Sequence, residues 1–162
     1  METMSTPVTR ALDTGGVPYR FFQHAGPVNS VEQAAEERGM LPGQVIRSIV
    51  FRVAPGEFVM VLIAGTDQIH WPTLRRYLGQ TRLTLATEEE VLQATGYRLG
   101  AVSPFGLPQP MRVIVDRSAL ASAEVSIGSG VKNTSVILKR EDLLSALGEV
   151  EIGDFRRPAG QQ

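Results

Sequence analysis

The sequence predicts an α+β fold, a mixed, barrel-like β-sheet with helices packed around it. Three observations carry this. Runs of β-branched residues recur along the chain, the clearest being QVIRSIVFRV at 44–53 and EFVMVLIA at 57–64. Helix-capping signals fall between such runs, without the regular strand-helix rhythm of a purely parallel sheet. Several strands are apolar at consecutive positions, which implies cover on both faces.

Each element follows from a local signal. Thr6 ahead of Pro7 opens a first helix, because proline at the first helical position sacrifices no hydrogen bond, and Gly15-Gly16 ends it. Residues 17–23 read as a short strand. Ser30, with Gln33 three residues later, forms a capping box for VEQAAEER, which Gly39 stops. Ala54-Pro55-Gly56 turns the 44–53 strand back onto 57–64 as a hairpin. Residues 72–78 read as helix and 82–86 as strand, and Thr87 with Glu90 caps the helix EEEVLQATG. Beyond a loop rich in glycine and proline, strands are expected at 111–115, 124–127 and 134–138, then a last helix at 140–147. The chain reads as one domain over 1–152 with a polar tail at 153–162.

Composition narrows the chemistry. The 162 residues suit one compact domain, and 43% hydrophobic with 20% charged residues is ordinary for a soluble globular protein. The absence of cysteine excludes disulfides and thiolate nucleophiles. With His24 and His70 the only histidines, no metal and no cofactor is expected. Neither a GxxxxGK[ST] nor a GxGxxG pattern is present. The longest apolar stretch, 58–64, is too short for a bilayer, and METMSTPVTR has no export-signal core, so a cytoplasmic location is the expectation. A net charge of −1 argues against DNA or any long nucleic acid held by its phosphates, and confines such contact to a terminus.

Two segments stand out chemically. The loop TGYRLGAVSPFGL at 95–107 has the glycines to bring backbone N–H groups close to another molecule, although its spacing alone also fits a plain surface connection. Arg47, early in the hairpin, shares a strand face with Ile49, Phe51 and Val53, so it must clamp an anion or carbonyl, or else reach solvent from the strand's end. Glu88-Glu89-Glu90 fill the first turn of a helix and complement its dipole. Ser103 and Ser129 have no histidine near in sequence, and His24 and His70 read as structural polar residues.

The order of segments is informative. QVIRSIVF, FVMVLIAGTDQI, ATEEEVLQATGYRLGAVSPFGL, VIVD, and IGSG before a strand and EDLL together resemble the YbaK/EbsC/ProX-type aminoacyl-tRNA deacylases, over residues 6–148. The most specific piece is TGYRLGAVSPFG, similar to that family's TGY-x-x-GG-[IV]-SP-x-G loop. The resemblance implies hydrolysis of the ester joining a wrong amino acid to a tRNA 3′ end, such as cysteine or alanine on tRNA for proline. An aminoacyl-tRNA synthetase is a second candidate partner. Gly100 and Pro104 match the Gly-x-x-x-Pro loop around the scissile ester, which makes the amides of Ala101 and Val102 candidate oxyanion donors, with Ser103 beside them. Arg47 falls where the family has a lysine; Phe22 matches a pocket aromatic, Gly130 the IGSG segment, and Ser135 a late polar position. Arginine does not lose its proton as lysine does, so a non-catalytic binding module of the same fold is the alternative. An esterase for other small acyl esters is a third reading.

Overall fold

The computed structural model describes residues 4–157. Helix α1 (Pro7–Thr14) leads to strand β1 (Arg20–Gln23) and helix α2 (Val31–Arg38). The hairpin β2 (Ile46–Ala54) and β3 (Glu57–Ala64) follows, then α3 (Trp71–Leu78), a two-residue β4 (Thr84–Leu85) and α4 (Glu88–Thr95). After the long loop come β5 (Arg112–Asp116), β6 (Glu124–Gly128), β7 (Thr134–Lys139), α5 (Arg140–Leu147) and β8 (Glu151–Gly153). The expected caps form: the Thr6, Ser30 and Thr87 hydroxyls accept from the amides of Thr9, Gln33 and Glu90.

The strands make two sheets, ordered β1-β7-β6 and β4-β2-β3-β5-β8. The first is antiparallel; in the second, β3-β5 and β5-β8 run parallel, so the sheet is mixed. The sheets do not close into the expected barrel. Beside β2 the short β4 pairs only at Phe51 and Arg52, and a single parallel bridge, Val45 to Ser126, links the two sheets. They face one another instead across a core built from Val50, Met60, Leu62 and Val115 on one side and Ile127, Val136 and Leu138 on the other. Alternate residues of the larger sheet, among them Phe51, Val61, Ile63 and Ile114, pack outward against Leu74 of α3 and Phe155. Burial on both faces explains the unbroken apolar run of β3.

The first strand is shorter than 17–23, because the Val17 amide still closes the end of α1 on the Leu12 carbonyl and Pro18 has no N–H to pair. The expected polar tail also starts too early. Gly153 ends β8, and the Phe155 ring is 1% exposed, with its amide donating to Asp116 Oδ1 at 2.7 Å. A lone aromatic among charged residues has no periodicity to announce it. Residues 158–162 of that tail lie outside the described residues.

Candidate functional site

The loop after α4 is clamped at both ends. Tyr97 Oη donates to the Phe105 carbonyl, and burial pushes its phenol up to about 12. Between these residues the chain turns at Gly100 (φ 88°), a left-handed conformation that a side chain would strain. The Ala101 amide donates to the Arg98 carbonyl at 3.0 Å, and its carbonyl accepts from the Gly130 amide at 3.0 Å. One of the two expected oxyanion donors is therefore already spent within the loop. Among the described residues the Val102 amide has no partner. Gly128, at the end of β6, presses on this segment so closely that a Cβ there would overlap the Val102 carbonyl.

Arg47 lies opposite Ile63 in the hairpin, half-buried, with Nη2 donating to the Asp67 carbonyl and Nε buried without a partner. Burial lowers its pKa from the usual arginine value, and the Asp67 carboxylate works against that shift. Asp67 is itself held by Arg156 Nη1 at 3.1 Å, and the neighbouring Gln68 carbonyl by the Arg157 amide at 2.8 Å. The C-terminal segment thus fixes the loop on which Arg47 leans. The next residue, Ser48, also buries its hydroxyl without a partner.

These groups line a chain of three adjoining cavities. The central one, about 320 Å³, is walled by Arg38, Arg47, Ser48, Gly100, Val102 and Thr134. A second, about 410 Å³, shares Arg47, Ser48 and Val102 and adds apolar Phe51, Trp71, Leu85 and Leu99. A third, about 310 Å³, shares Arg38, Gly100 and Thr134 and adds His24, Lys132 and Asn133. A larger hollow of about 570 Å³ lies beyond Asp67, but its Arg117 and Arg156 already face Asp154 and Asp67. Of the buried, unpartnered side-chain polar groups among the described residues, Arg47 Nε and Ser48 Oγ belong to residues that line the joined cavities.

The structure thus brings Arg47, Gly100 and Val102 to the lining of one cavity. The other expected residues, Phe22, Ala101, Ser103, Pro104, Gly130 and Ser135, line none of the three joined cavities. Phe22, Ser135 and Gly128 form one row across the smaller sheet, where Ser135 Oγ is buried and unpartnered and Phe22 stacks edge-on against His24. Ser103 is fully buried and its hydroxyl accepts from the Phe105 amide at 3.2 Å. Pro104 faces a separate hollow beside Met111 and Glu151, and Gly130 acts through its bond to Ala101. Arg38, Ser48 and Thr134 were not apparent from the sequence. Nothing local marks Ser48, and Arg38 is joined to Ser126 across 88 residues, which no local pattern reveals.

The central cavity is thus lined by Val102, whose backbone amide has no partner among the described residues, and by the half-buried guanidinium of Arg47. The chain belongs to the aminoacyl-tRNA editing domain family, whose profile matches residues 25–146. It is 29% identical over 152 residues to the Multifunctional Ser/Thr-tRNA deacylase ProXp-y of Escherichia coli (strain K12), covering 91% of this chain and 90% of that one. It is 30% identical over 133 residues to the Proline--tRNA ligase of Pelobacter propionicus, covering 78% of this chain but only 23% of the ligase. The crystal structure of "a putative trans-editing enzyme for prolyl tRNA synthetase" superimposes with a TM-score of 0.84 at 26% identity, over 96% of this chain and 100% of that one. Among the described residues no helix is long and apolar enough to cross a membrane.

Proposed function

We propose that this chain is a trans-editing deacylase that hydrolyses the ester of a small, wrongly attached amino acid on tRNA. The observation that carries this reading is the presence, in the lining of one cavity, of Val102, whose amide has no partner among the described residues, and of Arg47, whose buried Nε has none either. Water attacks the ester carbonyl, the bond to the ribose oxygen breaks, and that oxygen leaves as a hydroxyl carrying one of the water's protons while the amino acid departs as its carboxylate. The Val102 amide receives the developing oxyanion, and one such donor is typically worth ~10²–10³ in rate. Arg47 orients the carbonyl; a guanidinium stays protonated, so it serves as donor and not as base. Gly100 shapes the turn and Ala101 braces it on Arg98, while Ser103, Pro104 and Gly130 hold the loop and Phe22 and Ser135 back the neighbouring sheet. The central cavity suits small side chains: alanine or cysteine on tRNA for proline, and the serine and threonine named for the E. coli relative. A cytoplasmic location follows from the substrate. With a net charge of −1, weak attraction to tRNA makes an aminoacyl-tRNA synthetase the natural delivering partner.

The competing reading, a binding module without turnover, is favoured by Arg47 standing where the family's lysine is expected. Deacylation of Ala-, Cys-, Ser- and Thr-tRNA by the wild type and Arg47→Lys separates the two. Turnover by the wild type establishes arginine as a working member of the site. Turnover by Arg47→Lys alone means that this position has switched a competent scaffold off, and none from either protein sinks the deacylase reading.

A further inference from the structure

Arg38 ends α2 at the junction of the central cavity and the third one. Its Nε donates to His24 Nε2 at 3.1 Å and its Nη1 to Ser126 Oγ at 2.9 Å. The first bond requires an unprotonated His24 Nε2, so His24 Nδ1 carries the proton and donates to Glu37 Oε1 at 2.7 Å. The guanidinium is therefore locked in place by neutral acceptors, and among the described residues no carboxylate lies within ion-pair distance of it. Arg20, Arg52, Arg112, Arg117, Arg140 and Arg156 all have such a carboxylate. Burial drags the Arg38 pKa down to about 10, with the Glu37 carboxylate beyond His24 working against that shift. The third cavity adds Lys132 on its exposed rim and has no carboxylate in its lining. A fixed, partly desolvated guanidinium whose Nη2 has no partner among the described residues, with a second cation lining the same cavity, is short of an anion.

We infer that Arg38 and Lys132 form a binding site for a phosphodiester, the one on the 5′ side of the terminal adenosine, and so hold the nucleotide while its ester lies against Val102 and Arg47. This rests on the deacylase reading for the identity of the ligand. It goes beyond that reading by assigning a second, cationic cavity to the nucleic-acid backbone. An open cavity with a lysine at its mouth suits a group through which a polymer continues outward, more than it suits a free side chain.

The test uses unreactive 3′-alanylamino-3′-deoxyadenosine, with and without a 5′-phosphate, titrated into the full chain. The 5′-phosphate is expected to tighten binding about tenfold or more, the size of a charge-assisted pair. Arg38→Gln should abolish that difference, whatever it does to binding of the unphosphorylated compound. Lys132→Ala, an exposed substitution that leaves the His24 network whole, should reduce the difference and so guards against misfolding of the first variant. Equal binding of the two compounds by the wild type overturns the proposal, even if mischarged tRNA is hydrolysed. A phosphate preference that Arg38→Gln removes upholds the site, even in a protein that hydrolyses no tRNA. Tighter binding of a glutamyl analogue, with no response to the 5′-phosphate, would reassign the cations to a side-chain carboxylate and also overturn it.

Discussion

Ser48 buries its hydroxyl without a partner on a wall shared by the central and apolar cavities. A buried, unsatisfied hydroxyl destabilises the empty fold by about 1–3 kcal/mol, and a substrate hydroxyl at the same place would relieve it. The expected outcome for Ser48→Ala is a melting temperature that stays level or rises. Its kcat/KM for Ser-tRNA should meanwhile fall about tenfold relative to Ala-tRNA, since a site that hydrogen-bonds a hydroxyl discriminates through that bond. An unchanged Ser-to-Ala ratio would remove Ser48 from the specificity pocket. At this scale the sequence is informative only where a residue type is itself unusual. Arg47 was conspicuous on an apolar face, but Ser48 was not, because nothing local distinguishes a partnerless serine from one facing water. The Ala101 amide makes the complementary case: the loop motif names it as a donor, and only the fold shows that Arg98 has already taken it.

Among the elements, the clamped loop is the one whose integrity the proposed deacylation most needs. Tyr97 Oη holds the Phe105 carbonyl, closing the segment that contains Gly100 and Val102. Tyr97→Phe leaves that carbonyl without its donor and is expected to lower stability by about 1–3 kcal/mol. Because the loop then loosens, kcat should fall more than KM rises. Urea unfolding and steady-state deacylation check the two halves. A pH arm follows from the phenol. Its folded-state pKa is raised to about 12 from 10.0, so its contribution is intact below 10 and is lost as pH climbs toward 12. The variant should lack that alkaline loss. Legibility at this scale was high for helices, since Thr6, Ser30 and Thr87 announce their starts by chemistry that acts within one turn. It was poor for β8, whose three residues leave no room for a periodic pattern, while the strand expected at 82–86 is present only as the two residues of β4.

Over the whole molecule, the strand inventory was legible but the pairing was not. Alternation and β-branching reveal that 111–115 is a strand, yet its parallel place between β3 and β8 depends on contacts made across most of the chain. The same long-range pairings are what acid should undo first. Arg112 of β5 holds Glu151 of β8 by two bonds of 2.6 Å, and Arg52 of β2 holds Glu90 of α4 at 2.9 Å. The bonds from Arg112 lower the pKa of Glu151; the Thr87 amide, with Arg52 behind it, lowers that of Glu90; and His24, with Gln33, lowers that of Glu37. As pH falls through the ordinary carboxyl value of 4.5, the unfolded chain takes up protons before the folded one does. The unfolded state then binds more protons, and stability must fall with pH. The unfolding temperature is therefore expected to be level from neutrality down to about pH 5 and to drop below that. Glu151→Gln should begin from a lower plateau and show a shallower acid slope, because one of the depressed carboxyls has been removed. A variant whose acid slope matches that of the wild type would show that Glu151 carries no proton linkage and that the β5–β8 pair is a surface contact without thermodynamic weight.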